Sequence, residues 1–161
     1  MANTKEVRKQ IASIKGTQKI TSAMEMVAAS KMKKTQDNML KGRPYSLKIK
    51  DVITHIASAS SEYPHPFYEE RSPKKACFIV VSSDKGLCGG LNINLFKQVI
   101  SKSAELHEQG VESCFALIGS KAPGFFKSVG GQVIGVAEKL GDKPNPEDLI
   151  GLTKIVLDMY K

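Results

Sequence analysis

The amino-acid sequence predicts an α/β fold in which a long N-terminal helix, able to form a coiled coil, precedes a small parallel-sheet domain. Residues 4–40 contain no proline and one glycine, with apolar or small residues at alternating steps of four and three. Residues 75–161 alternate between short apolar runs and amphipathic stretches, the order expected for βαβαβα. Most of the charge precedes residue 51, because residues 1–50 carry 12 Lys and Arg against 3 Asp and Glu.

The first helix is predicted to carry a narrow apolar stripe along one side. The stripe, a coiled-coil seam with polar interruptions, consists of Val7, Ile11, Ile14, Gln18, Thr21, Ala28 and Met32. A helix of 35–50 residues spans roughly 55–75 Å, which is longer than a domain of this size is wide. An isolated amphipathic helix depends on packing for its stability, and no later segment reads as a helix of comparable length. We therefore expect the partner helix to be missing from this chain or to lie on another one.

The end of this helix is set by a proline and by a change in composition. Pro44 lacks an amide hydrogen and could end or kink the helix, but residues 45–59 again show a helical pattern. We favour one continued helix over residues 1–59, straight or bent. Residues 60–74 contain three prolines and clustered charge and are predicted to be a connector.

Residues 75–161 are predicted to form the second domain, a small and Rossmann-like parallel sheet. Its strands are expected at residues 76–82, 113–119 and 132–140, because these runs are apolar and rich in β-branched residues. Helices are expected at residues 92–109, with Gly110 beyond the end, and at residues 120–130 and 144–161. Three strands make a compact or incomplete α/β domain.

The glycine-rich turn at residues 82–92 lies where α/β folds bind phosphate, at the end of a strand and the start of a helix. Its glycines follow the pattern G-x-x-G-G, which is neither a dinucleotide fingerprint nor a P-loop. We favour a tight turn that allows close backbone packing, with Asp84 as a capping residue and Lys85 solvated. A nucleotide-binding α/β module using this turn remains the alternative function.

The cysteines and histidines predict no catalytic, metal or cofactor site. Cys88 is expected to be the exposed cysteine, whereas Cys77 and Cys114 fall on predicted buried strands. No histidine is tied to Cys88 by a motif, and an odd number of cysteines makes no disulfide framework. A reducing, cytoplasmic compartment fits this pattern. The apolar runs are too short for a membrane-spanning helix, and the N-terminus lacks the apolar stretch of a secretory signal.

The excess positive charge indicates either an acidic partner or a solvated helix face, and nucleic acid is disfavoured as the partner. The chain has no tryptophan, and its first helix has no aromatic residue before Tyr45 on which bases could stack. A basic coiled coil that binds DNA remains a third hypothesis, and it would show steeply salt-dependent binding.

Two segments carry a resemblance to a known family. IASIKGTQKITSAMEMVAASKMKKTQ (residues 11–36) and SSDKGLCGGLN (residues 82–92) resemble the gamma subunits of bacterial F-type ATP synthases, as do GRPYS and IGSKAPGFFKSVGG. The resemblance implies a non-catalytic central shaft without cofactors, seated within three alpha and three beta subunits. It also implies contacts with the epsilon subunit and the proton-carrying membrane ring, at the cytoplasmic face of the bacterial inner membrane. Catalysis in this family belongs to beta.

The same resemblance assigns residues to interfaces. Lys15, Lys19, Met24 and Lys31 are expected beside the acidic C-terminal levers of beta, which the loop containing Asp84, Lys85 and Cys88 also approaches. The family's gamma subunits end in a second long helix that coils antiparallel against the first. This chain stops without one and is expected to be truncated, so its exposed stripe is expected to drive self-association.

Overall fold

A computed structural model of the chain describes residues 3–58, 67, 69 and 71–160. The chain divides into two compact units, a helical unit (residues 1–64) and an α/β unit (residues 65–161), and each is described by itself. Residues 60–66, 68 and 70 of the predicted connector lie outside the described residues.

The helical unit contains a single described element, α1, over Thr4–Ser58. Its 55 residues correspond to about 82 Å of helix. Asn3 caps the start, where its side-chain oxygen accepts a hydrogen bond of 3.3 Å from the Lys5 amide. The helix continues through Pro44, as the periodicity of residues 45–59 predicts. None of the residues of α1 is buried.

The α/β unit is built on three parallel strands, β1 (Lys75–Val81), β2 (Glu112–Ile118) and β3 (Gln132–Ala137). Their order in the sheet is β1-β2-β3, so β1 and β3 are the edges. Helices α2 (Leu91–Glu108), α3 (Ala122–Ser128) and α4 (Glu147–Tyr160) follow the three strands in turn. The predicted α/β fold, a long helix followed by βαβαβα, is confirmed.

Alternate residues of the central strand β2 pack into two separate hydrophobic cores. Phe115 and Leu117 pack with α2 and α3 around Phe96 and Phe126, whose rings meet edge to face at 5.5 Å. Ala116 packs on the other core, against Leu152 of α4 and Ala137 of β3. This alternation follows from the period of two along a strand, and it makes the central strand β2 the most continuously buried of the three strands.

The ends of β1 and β2 meet at a point where only glycine fits. Gly119, directly after β2, has φ of +92°, and a Cβ there would lie 2.1 Å from the carbonyl oxygen of Ser82. The Ser82 amide donates a 2.7 Å hydrogen bond to the carbonyl of Ile118, which locks the two strand ends together. This junction forms the base of the glycine-rich loop.

Candidate functional site

The stripe of α1 is exposed along its whole length. Val7, Ile11, Ile14 and Met32 are all large apolar residues with at least 39% of their surface accessible. The intervening positions Gln18, Thr21 and Ala28 are exposed as well. An apolar strip on a helix with no buried residue has the character of an unfilled interface.

One polar member of the stripe is already hydrogen-bonded within the helix. The Thr21 hydroxyl lies 3.1 Å from the carbonyl oxygen of Thr17 and 3.0 Å from that of Gln18, and it donates to the helix backbone. Burial of this hydroxyl under a partner would leave no unsatisfied donor, so its cost is small. The structure thus shows how the predicted seam can tolerate a threonine.

Helix α1 also carries the positive charge of the protein. It holds 12 Lys and Arg against 4 Asp and Glu, whereas the two signs balance over the remainder of the chain. The predicted contact residues Lys15, Lys19, Met24 and Lys31 are all exposed on it. Such a surface attracts an acidic partner over a distance, although each exposed ion pair contributes only about 0–1 kcal/mol.

The loop at residues 82–92 is held together from within by Asn92. This side chain is 9% exposed, and its amide nitrogen donates to the Ser83 hydroxyl at 2.8 Å. Its oxygen accepts a 3.2 Å hydrogen bond from the Ser83 amide, and its nitrogen also lies 3.3 Å from Cys88 Sγ. One buried amide therefore ties both arms of the loop to the start of α2.

Asp84 anchors the same loop to the loop after β2. Its carboxylate accepts hydrogen bonds of 2.9 Å from both the amide and the hydroxyl of Ser120. These bonds hold the pKa of Asp84 below its ordinary value, because they favour the charged carboxylate. Lys85 is exposed beside it, as expected. Asp84 thus joins two loops rather than capping α2, whose N-cap is Gly90.

One expectation about this loop holds only in part, and a second is wrong. Close packing explains Gly90, where a Cβ would lie 3.2 Å from Asn94 Nδ2, but not Gly89, whose requirement is its φ of +57°. The closest backbone approach of the loop is that of Ser82 to Gly119. Cys88 is also not the one accessible cysteine, because Asn92 and Ser83 hold it half-buried, the same class as Cys77. Cys114 is buried as predicted.

The sequence pattern did not single out Leu87, the most exposed apolar residue of the described chain. Its side chain is 97% accessible, and its φ of +63° is rarely adopted by a residue with a side chain. Holding a leucine in this conformation costs roughly 1–3 kcal/mol. The sequence signal that could have identified Leu87 is the presence of an apolar residue within a turn of mostly polar and glycine residues. Lys85, Leu87 and Leu91 are the exposed side chains of the loop.

A cavity of about 690 Å³ lies beside the loop, at the carboxyl ends of the strands. Its lining includes the carboxylates Asp84 and Asp142 as well as Lys85, above an apolar base formed by residues such as Val81 and Leu149. Two carboxylates make this a poor environment for a phosphate. The Ser83 amide, which a phosphate would need as a donor, is bonded to Asn92.

Within residues 3–58, 67, 69 and 71–160, no group of three or more His, Cys, Asp or Glu side chains could hold a metal ion. No helix among these residues has the length and apolar character needed to cross a membrane.

The fold and its surfaces define a class: a small parallel α/β protein that displays a long basic helix with an exposed apolar stripe. Residues 3–161 match the sequence model of the family described as ATP synthase. All 161 residues align at 54% identity with the ATP synthase gamma chain of Nitrosococcus oceani, of which they cover 56%. The chain therefore belongs to the ATP synthase gamma family, and it spans about half the length of the curated relative that it matches.

Proposed function

We propose that this chain is a non-catalytic part of a central-stalk rotor that couples proton-driven rotation of a membrane ring to ATP synthesis in an alpha/beta head. The observation that carries the proposal is α1: 55 residues of helix, none buried, with an apolar stripe exposed in a member of the gamma family. A helix of this kind needs a packing partner. The proposed partner is a second long helix of a complete gamma chain, coiled antiparallel along the stripe.

The basic side of α1 is proposed to face the acidic levers of beta. Lys15, Lys19 and Lys31 supply charge, and attraction between charges tolerates changes of orientation better than interdigitated packing does. Met24 is 53% exposed, and a flexible thioether side chain repacks readily against a moving surface. A shaft that turns inside a sleeve requires contacts of this kind, which hold it centred without fixing one angle.

The loop at residues 82–92 is proposed to form a second contact with beta, through Asp84, Lys85 and Cys88. Lys85 offers the exposed charge. Asp84 and Cys88 face the hydrogen-bond network of Ser120 and Asn92, which stiffens the platform that presents Lys85. A stiff loop can transmit force, whereas a mobile one would yield.

The remaining partners are proposed from family membership. The α/β unit would contact epsilon, and the foot of the stalk would rest on the membrane ring, so the chain would be peripheral at the cytoplasmic face of the inner membrane. We propose no substrate and no cofactor for this chain, because the Ser83 amide and the Asn92 side-chain amide, which a phosphate could use as donors, are bonded within the 82–92 loop.

Charge reversal on α1 tests the proposed contact with the head. In a gamma chain that carries these residues, Lys15→Glu, Lys19→Glu and Lys31→Glu are combined, and assembly with alpha and beta is titrated at low and high salt. We expect assembly to weaken by at least tenfold at low salt, with a smaller loss at high salt where charges are screened.

The matched control reverses three exposed lysines of the α/β unit, Lys97, Lys127 and Lys154. It carries the same total charge, so it should assemble almost normally if the position of the charge matters. Equal loss in the two variants would show that net charge alone drives assembly, and the proposed contact would then be wrong.

A further inference from the structure

Two cysteines of the α/β unit lie directly opposite each other on adjacent strands. Cys77 of β1 is the register partner of Cys114 of β2. Neighbouring strands are about 4.8 Å apart, which falls within the Cα separation of about 4.4–6.8 Å that a disulfide spans. Both residues line one cavity, so their side chains share a face of the sheet. Both thiols are free.

The cavity gives the two thiols unequal access. It has a volume of about 600 Å³, and its apolar walls come largely from α4 and Phe67. Cys77 is half-buried on the edge strand, whereas Cys114 is 2% exposed on the central strand. The other titratable groups in the lining are Tyr160 and Lys75, whose ammonium lies 3.1 Å from the Glu112 carboxylate. A small reagent can therefore reach Cys77 first.

We propose that Cys77 and Cys114 form an oxidisable dithiol that a low-molecular-weight disulfide, such as glutathione disulfide, converts to a cross-strand disulfide. In the first step the Cys77 thiolate attacks one sulfur of glutathione disulfide, forming a mixed disulfide and releasing one glutathione thiolate. In the second step the Cys114 thiolate attacks Cys77 Sγ and expels the other glutathione thiolate. The protein loses two protons and two electrons, and glutathione disulfide gains them to become two glutathione molecules.

The environment of Cys77 sets the speed of this reaction. Burial raises the pKa of the Cys77 thiol to about 11, and the neighbouring Cys114 thiol contributes to the rise. About one Cys77 in ten thousand is then ionised at pH 7, and only the thiolate attacks a disulfide. The first step should be slow near neutral pH and should accelerate about tenfold for each pH unit until the pH approaches 11. The resulting bond would fasten edge strand β1 to the centre of the sheet.

Oxidation of the 161-residue chain with glutathione disulfide at pH 8 and pH 9 tests the proposal. After an acid quench, free thiols are alkylated and the peptides are mapped by mass. We expect the peptides carrying Cys77 and Cys114 to be joined, two hydrogens lighter than the separate peptides, with formation about tenfold faster at pH 9. In Cys114→Ala, Cys77 should instead keep a glutathione adduct, because no second thiol is available to expel it.

Cys88 provides an internal comparison, since it lies on a loop with no register partner. Glutathione found on Cys88 alone, with Cys77 and Cys114 both still reduced, would overturn the proposal. A second measurement needs no oxidation: phenylarsine oxide bridges two adjacent thiols and should be retained by Cys88→Ala but lost from Cys77→Ala. Equal retention by both variants would also overturn it.

Discussion

Replacing Val7, Ile11 and Ile14 together by aspartate should strongly weaken pairing along the stripe. Fully burying a valine or isoleucine side chain is worth about 1.5–3 kcal/mol, and these three are 39%, 47% and 68% exposed. The apolar surface still available to a partner is therefore worth about 2–5 kcal/mol in each copy. Since 1.4 kcal/mol is a factor of ten, self-association should weaken at least about thirtyfold.

Sedimentation equilibrium of the 161-residue chain measures this effect, and circular dichroism checks that α1 stays helical. The matched control is Ala12→Asp, Ser13→Asp and Ala23→Asp, which adds the same charge to other sides of the helix. We expect the control to associate almost like the wild type. Equal weakening by both triple variants, or a wild type that stays strictly monomeric with α1 intact, would refute the reasoning.

Three further predictions concern the α/β unit. Gly119→Ala should lower its free energy of unfolding by about 3–5 kcal/mol, because φ is +92° and the new Cβ would strike the Ser82 carbonyl. The control Gly151→Ala, in open space on α4, should raise the free energy of unfolding by about 0.5–1 kcal/mol. Urea titration, with hydrogen exchange of the β2 amides as the probe, measures both changes. A similar change in stability for the two variants would contradict the proposed clash at Gly119. Ionised Asp84 should stabilise the unit above the ordinary carboxyl pKa of 3.8, and this contribution should fade as the pH falls through the lowered pKa. Asp84→Asn should thus lower the urea midpoint at pH 7, with the gap closing on acidification, and a constant gap would count against the Ser120 hydrogen bonds. Equilibrium dialysis should show no saturable binding of ATP or NAD at micromolar concentrations, and saturable binding would favour the nucleotide-binding alternative.

Periodicity accounts for what could be predicted of the fold. The alternating steps of four and three in residues 4–40 specify a helix regardless of its surroundings, and the apolar run at residues 76–81 specifies a buried strand. Both are local properties, and the structure has α1 and β1 at those places. The predicted burial of β1 is wrong, because β1 is an edge strand in which Val80 is buried but Ile79 and Val81 are exposed. The effect of Pro44 was less predictable, since a proline in a helix interior either kinks the helix or ends it.

Long-range contacts account for what could not be predicted of the loop. Cys88 is half-buried because of a contact with Asn92, and Asp84 bonds to Ser120, 36 residues away along the chain. The local amino-acid pattern gives no indication of which side chains form these contacts in the folded chain. The glycine at which a side chain would clash most severely is Gly119, outside the glycine-rich turn, because Ser82, the residue after β1, packs against it.

The central claim is that α1 acts as one of the two helices of a rotating coiled-coil shaft. ATP-driven proton pumping into inside-out membrane vesicles tests it most directly, using a complete gamma chain that begins with this sequence and carries the Val7, Ile11 and Ile14 aspartate substitutions. We predict that ATP hydrolysis continues while pumping per ATP falls sharply. Pumping per ATP equal to that of the wild type would contradict the claim.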